Sequence, residues 1–165
     1  MVTRKIAVIG SFRQHYKNIL EVLSAFKSNG HLVTTPLGAT IIEEGIPFVR
    51  FESDSENLDD CCVQSIALHR ILRADLVYVV APDGYVGRTT CYEIGRVIQA
   101  MHPIYFSAQL EDLPVRIPSE RIYPPAVFSA IVSEPCWSPT PIFHEISHPN
   151  DEIEKDLLYG IYRED

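Results

Sequence analysis

The chain opens with an apolar run, Lys5-Ile6-Ala7-Val8-Ile9-Gly10, that stops at a glycine, after which the spacing changes: Ile19, Leu20, Leu23 and Phe26 recur every three or four positions between about 15 and 28. A run followed by that period predicts a buried strand and then an amphipathic helix, which Asn29-Gly30 ends. His31-Leu32-Val33-Thr34-Thr35-Pro36 reads as a second strand, so the first 36 residues form a βαβ unit with a right-handed crossover. Gly38, Gly45 and Pro47 punctuate the next stretch, and Pro47-Phe48-Val49-Arg50-Phe51 is a candidate for a short extra strand. A helix is expected from about 55 to 73, started by the polar Ser55-Glu56-Asn57 and burying Val63, Ile66, Ala67, Ile71 and Leu72. Asp75-Leu76-Val77-Tyr78-Val79-Val80-Ala81 has the unbroken apolar character of a central strand covered on both faces. A loop from 82 to 88 then leads to a helix from Thr89 to about Met101, and Pro103-Ile104-Tyr105-Phe106 is the next strand.

The order β-α-β-(β)-α-β-α-β predicts an α/β protein with a doubly wound parallel sheet of the flavodoxin or Rossmann kind, whose ligands bind at the carboxyl ends of the strands. Residues 1–110 hold this core. Residues 111–165 differ: eight of the twelve prolines fall between 114 and 149, one strand is expected at 126–132, and a short acidic amphipathic helix at about 151–162. At 165 residues, core and Pro-rich tail belong to a single domain.

Composition narrows the class of partner. Hydrophobic residues at 46 % and charged residues at 22 % are ordinary globular values. No stretch of 18 uncharged apolar residues occurs, and the start of the chain runs straight into a strand-like segment, so a cytoplasmic protein without membrane contact is expected. The net charge of −8, with no run of Lys or Arg, makes a nucleic-acid polymer a poor partner and leaves room for a small anionic ligand. Cys61, Cys62, Cys91 and Cys136 lack the spacing of a zinc site or a disulfide framework and read as reduced thiols. His144, Glu145 and His148 superficially suggest a metal pair, but Pro141 and Pro149 flank them, so neither metal nor cofactor is expected.

Candidate chemistry concentrates between 74 and 106: a buried strand, a Gly-rich loop, Thr89-Thr90, and then Glu93 on a helix. The loop glycines allow close backbone approach to a ligand, and helix N-terminal N–H groups favour an anion. Two readings of Glu93 stand side by side. Thr90-x-x-Glu93 has the spacing of a capping box, in which the carboxylate serves the helix; alternatively the carboxylate is the reactive group. Gly10-Ser11-Phe12-Arg13 after the first strand has the parts to hold a phosphate, or Arg13 is a solvated residue after a turn. Tyr85 and Tyr92 are candidates for base stacking or for packing.

The window from Ala74 to Val97 resembles the signature of the nucleoside 2-deoxyribosyltransferase superfamily, which also contains nucleoside 5′-monophosphate N-glycosidases, and Gly10-Ser11-Phe12-Arg13 resembles the Gly-Ser-x-Arg phosphate loop of those glycosidases. The likeness spans the first 106 residues or so. It implies that Glu93, in Glu93-Ile94-Gly95, is the nucleophile. It also implies a small-molecule nucleoside or nucleotide held by Gly10, Ser11, Arg13, Gly84, Tyr85, Gly87 and Thr89, and a homodimer or higher homo-oligomer that completes its pockets. Breaking an N-glycosidic bond passes through an oxocarbenium-like sugar that a carboxylate traps, while the departing base needs a proton donor. Members of the superfamily commonly place an Asp about seven residues ahead of the Ala-Asp that opens the central strand; here Ala67 holds that position. His69 and Asp83 remain as candidate acids, although two positions carry His69 roughly 200° around the helix from residue 67, and Pro82-Asp83-Gly84 is strong turn chemistry. A sensor of the same fold with little turnover is one alternative. A phosphoribohydrolase of the lysine-decarboxylase-like family is another, although its Pro-Gly-Gly-x-Gly-Thr-x-x-Glu is not matched by residues 82–90. The tail aromatics Tyr123, Phe128, Trp137 and Phe143 are expected to bury themselves on a second copy.

Overall fold

In the computed structural model, which describes residues 2–37, 50–51, 54 and 56–164, β1 (Lys5–Gly10) lies between β2 (Leu32–Thr35) and β3 (Leu76–Val80). β4 (Ile104–Phe106) pairs with the other edge of β3, and all pairings are parallel, in the order β2-β1-β3-β4. The alternation of side chains along the strands divides the core in two. Ile6, Val8, Leu76, Tyr78 and Val80 face α1 (Phe12–Ser28), whose Ile19, Val22, Leu23 and Phe26 cover them. Ala7, Ile9, Val77 and Val79 face the other way, under α2 (Asp60–Leu72) and α3 (Gly87–Gln99). The sheet is therefore doubly wound, with the strand order of flavodoxin-like proteins.

Several boundaries differ from the sequence reading. α1 begins at Phe12 because the Ser11 carbonyl accepts from Gln14 and His15, at 3.1 and 2.8 Å, and the regular apolar spacing starts only past a break in helical geometry at His15. α2 begins at Asp60 instead of 55, since Asp59 is the cap, its carboxylate accepting from the Cys62 N–H at 2.7 Å. Leu68 is buried on α2 where Ile66 was expected; Ile66 is 38 % exposed. The candidate strand at 47–51 lies largely outside the described residues. The strand expected at 126–132 is a helix, α4 (Pro125–Ile131): Pro125 sits at its first turn, and Phe128 and Val132, four apart, share the buried face. The last helix, α5 (Pro149–Leu158), starts earlier than expected because His148 caps it, accepting from the Asn150 N–H at 3.1 Å.

The tail wraps the free side of β4. An isolated bridge from Phe106 to Ile122 covers that edge; α4 packs beside α1, and Ile142 and Phe143 join the core under α3. Phe128 and Phe143 are buried, and Tyr123 and Trp137 are half-buried, all against this chain's own core, which corrects the expectation that a second copy covers them. Arg116 and Ser147 bind the fully buried Asp151, tying α5 down. Among the described residues, no helix is long and apolar enough to cross a membrane.

Candidate active site

β1 and β3 are neighbours at the centre of the sheet, yet the chain leaving β1 turns to one face and the chain leaving β3 to the other. The crevice this creates at their carboxyl ends is where α/β sheets bind ligands. A cavity of about 460 Å³ opens there, within the range of small-molecule sites. Gly10, Ser11 and Arg13 form one wall, Gln64, Ala67 and Arg70 on α2 a second, and Tyr85 to Thr90 with Glu93 a third. The first turn of α1 carries no acidic residue, and the Ser11 side chain makes no capping bond.

The Gly-rich loop is built by two glycines with different tasks. Gly84, at φ +73°, makes the turn after β3: its N–H donates to Ala81 at 3.0 Å, and a side chain there would strike Glu111. It packs away from the cavity. Gly87, at φ +76°, starts α3 at the cavity wall, with the Tyr85 ring beside it. The N–H groups of Val86 and Gly87 donate to the Asp112 carboxylate at 3.2 and 3.3 Å. The anion that the sequence expects at the α3 N-terminus is thus partly supplied by the protein itself.

Starting α3 at Gly87 also decides the reading of Glu93. The cap position is Val86, which makes no side-chain capping bond, and Glu93 is the seventh residue of the helix. A capping box needs its carboxylate at the third helical position, so Thr90 and Glu93 do not form one. Glu93 is instead buried, 8 % exposed, and lines the cavity, with Oε1 accepting from Gln64 Nε2 at 2.9 Å. Burial pushes this carboxyl up to about 7, with the Gln64 bond pulling the other way. A carboxyl group poised near neutrality on a cavity suits nucleophilic or acid–base work.

Gly10, Ser11, Arg13, Tyr85, Gly87 and Thr89 all line the same cavity as Glu93. Asp83 and His69 do not: both are exposed, Asp83 in the turn before Gly84 and His69 off the α2 face that carries Ala67. Tyr92 is also outside, on the outer side of α3, where its hydroxyl accepts from Arg96 at 3.2 Å. The sequence reading missed Gln64, Arg70 and Asp54. Gln64 and Arg70 stand one helical turn to either side of Ala67, so extending the period from that position would have found them. Asp54 lines the cavity too, its carboxylate accepting from the Phe51 N–H at 2.9 Å.

Fold and site together define a doubly wound α/β protein with a buried carboxylate at the strand switch point. No family model matches the chain, and no curated protein matches it. Among solved structures, the chain is similar to a 2-deoxyribosyltransferase from the psychrotolerant bacterium Bacillus psychrosaccharolyticus, at 16 % identity and a TM-score of 0.46, over 72 % of this chain and 82 % of that one.

Proposed function

We propose that this protein cleaves or transfers the N-glycosidic bond of a nucleoside or nucleoside 5′-monophosphate, with Glu93 as the nucleophile. The observation that carries the reading is a buried glutamate, its carboxyl raised toward neutrality, lining a cavity of about 460 Å³. One Glu93 oxygen bonds to the anomeric carbon as the carbon–nitrogen bond breaks and its electron pair leaves with the base, which takes a proton. Water, or a second base, then attacks the anomeric carbon and gives up a proton to the group that protonated the first base, and the pair of the sugar–oxygen bond returns to the carboxylate. Ser11 and Arg13, with the backbone at Gly10, hold the 5′-phosphate, while Tyr85, Gly87 and Thr89 contact the nucleoside. Of the described carboxyl groups, Asp54 shares the cavity with Glu93, so we assign the proton for the leaving base to it in place of Asp83 or His69.

The test is incubation of the purified protein with a panel of nucleosides and their 5′-monophosphates, with chromatography for free base. Release of base that disappears in Glu93→Ala supports the reading. Binding of the same ligands without release favours a sensor instead.

A further inference from the structure

We infer that Gln64 is a positioning residue for Glu93: its side-chain amide anchors Oε1 and leaves Oε2 as the oxygen that meets the sugar. The inference rests on the reading of Glu93 as nucleophile. Its geometric basis is the 2.9 Å bond between the two side chains, one from α2 and one from α3, on the wall of the same cavity.

The terminal torsion of a glutamate is broad and nearly two-fold, so an unanchored carboxylate offers either oxygen over a wide arc. Holding one oxygen fixes the plane of the group and the approach of the other, and misplacement by a fraction of an ångström is costly in rate. The donor is a neutral amide. Arg13 from α1, Arg70 from α2 and Arg88 from α3 line the cavity as well, as does Asp54, but among the described residues none of them forms an ion pair with Glu93. A guanidinium would hold the carboxylate more tightly and blunt its reactivity; an amide orients it while leaving the negative charge available.

The same bond persists through the reaction. When Oε2 bonds to the anomeric carbon, Oε1 becomes the carbonyl oxygen of the ester and still accepts from Gln64. When water bonds to the anomeric carbon, passing its proton to the group that protonated the base, the sugar–Oε2 bond breaks and its electron pair returns to a carboxylate that accepts more strongly than the ester did. Gln64 therefore favours release of the sugar, and removing it lets the glycosyl-enzyme accumulate.

The experiment compares wild type, Gln64→Ala and the similarly sized Gln64→Met. Glu93 is titrated by carbon-13 NMR of its side-chain carboxyl, assigned against Glu93→Gln; base release is followed against pH, and intact mass is recorded during turnover. In either variant the Glu93 midpoint is expected to rise, the acid limb of kcat/KM to move with it, and kcat above that limb to fall about tenfold, in keeping with loss of a charged hydrogen bond. The fraction of protein carrying a sugar adduct rises. An unmoved Glu93 midpoint in a folded variant, or an unmoved acid limb with an active wild type, overturns the role of Gln64. A shifted midpoint in a protein whose wild type releases no base from any ligand overturns the glycosidic reading instead.

Discussion

Gly10 and Val80 face each other across β1 and β3 so closely that a β-carbon on Gly10 would lie 2.6 Å from the Val80 carbonyl oxygen. The obstruction is backbone, which cannot rotate away. Gly10→Ala is therefore expected to pry the strands apart at their carboxyl ends, at a cost of roughly 1–3 kcal/mol. It should weaken nucleoside monophosphate binding as well, because the cavity begins at that edge. Urea melts and calorimetric titration check the two effects.

Glu93→Gln is expected to abolish base release, since an amide is no nucleophile, while keeping the fold, and stability against pH checks the raised carboxyl separately. The carboxyl titrates near 7 in the folded chain against 4.5 ordinarily. Between those values the native state holds a proton that the unfolded state has lost. The contribution of Glu93 to stability is thus complete below about 4.5 and falls away as pH rises to about 7, a change on the order of 3 kcal/mol. The variant should lack that decline, so its stability relative to wild type should rise between about pH 4.5 and 7 and level off above. Equal pH slopes in the two proteins would refute the buried, raised carboxyl.

Arg13→Ala should weaken binding of nucleoside 5′-monophosphates about tenfold or more and leave nucleosides little changed, since a guanidinium–phosphate bond is charge-assisted. Calorimetric titration with a matched nucleoside and monophosphate decides it. Equal losses would remove Arg13 from the phosphate.

Asp151 is fully buried between two donors on Ser147 and the guanidinium of Arg116. Burial alone would push its carboxyl up, but those bonds outweigh it and hold the group below the usual carboxylate range. The stability it contributes is present at neutral pH and is lost as pH falls through that lowered value. Asp151→Ala is expected to cost roughly 2–4 kcal/mol at pH 7, Arg116 being partly open to solvent, and to loosen α5 first. Hydrogen exchange on α5 is the measurement.

We propose a homodimer or higher homo-oligomer, now with a different surface in view. The aromatics of the tail serve the chain's own core, whereas Ile153, Leu157, Ile161 and Tyr162 are exposed at and beyond α5. Light scattering should give twice 18.7 kDa or a higher multiple; a mass near 18.7 kDa would rule the assembly out.

The apolar runs of β1 and β3, each short and followed by turn residues and a helical period, made the doubly wound sheet legible, because parallel strands covered on both faces carry such runs. The start of α3 was not legible. Val86 and Gly87 are weak helix openers, and Asp112, 26 and 25 residues further on, satisfies their N–H groups through a contact no local pattern announces. Since the choice between capping box and cavity carboxylate turned on that start, Glu93 could be singled out from sequence but not placed. Residues 126–132 went wrong for a related reason. A short apolar run fits strand and buried helix alike, and Pro125 with the spacing of Phe128 and Val132 tips it to helix only once α1 is there to pack on. Gln64 belongs to no motif, being a neutral amide on an amphipathic helix, and only the helical period carried on from Ala67 points to it.

Trp137, the only tryptophan in the chain, sits on the α1 and α4 side of the sheet, with Tyr105 and Phe128 at 5.6 and 5.8 Å and the Arg4 guanidinium 5.2 Å from its ring. It takes no part in the cavity wall. The protein thus carries a built-in lamp aimed at the docking of its own tail. Emission should redden when the tail lifts or the chain unfolds, and should hold steady while a nucleotide is titrated into the crevice, so that one fluorescence channel separates loss of fold from occupancy of the site.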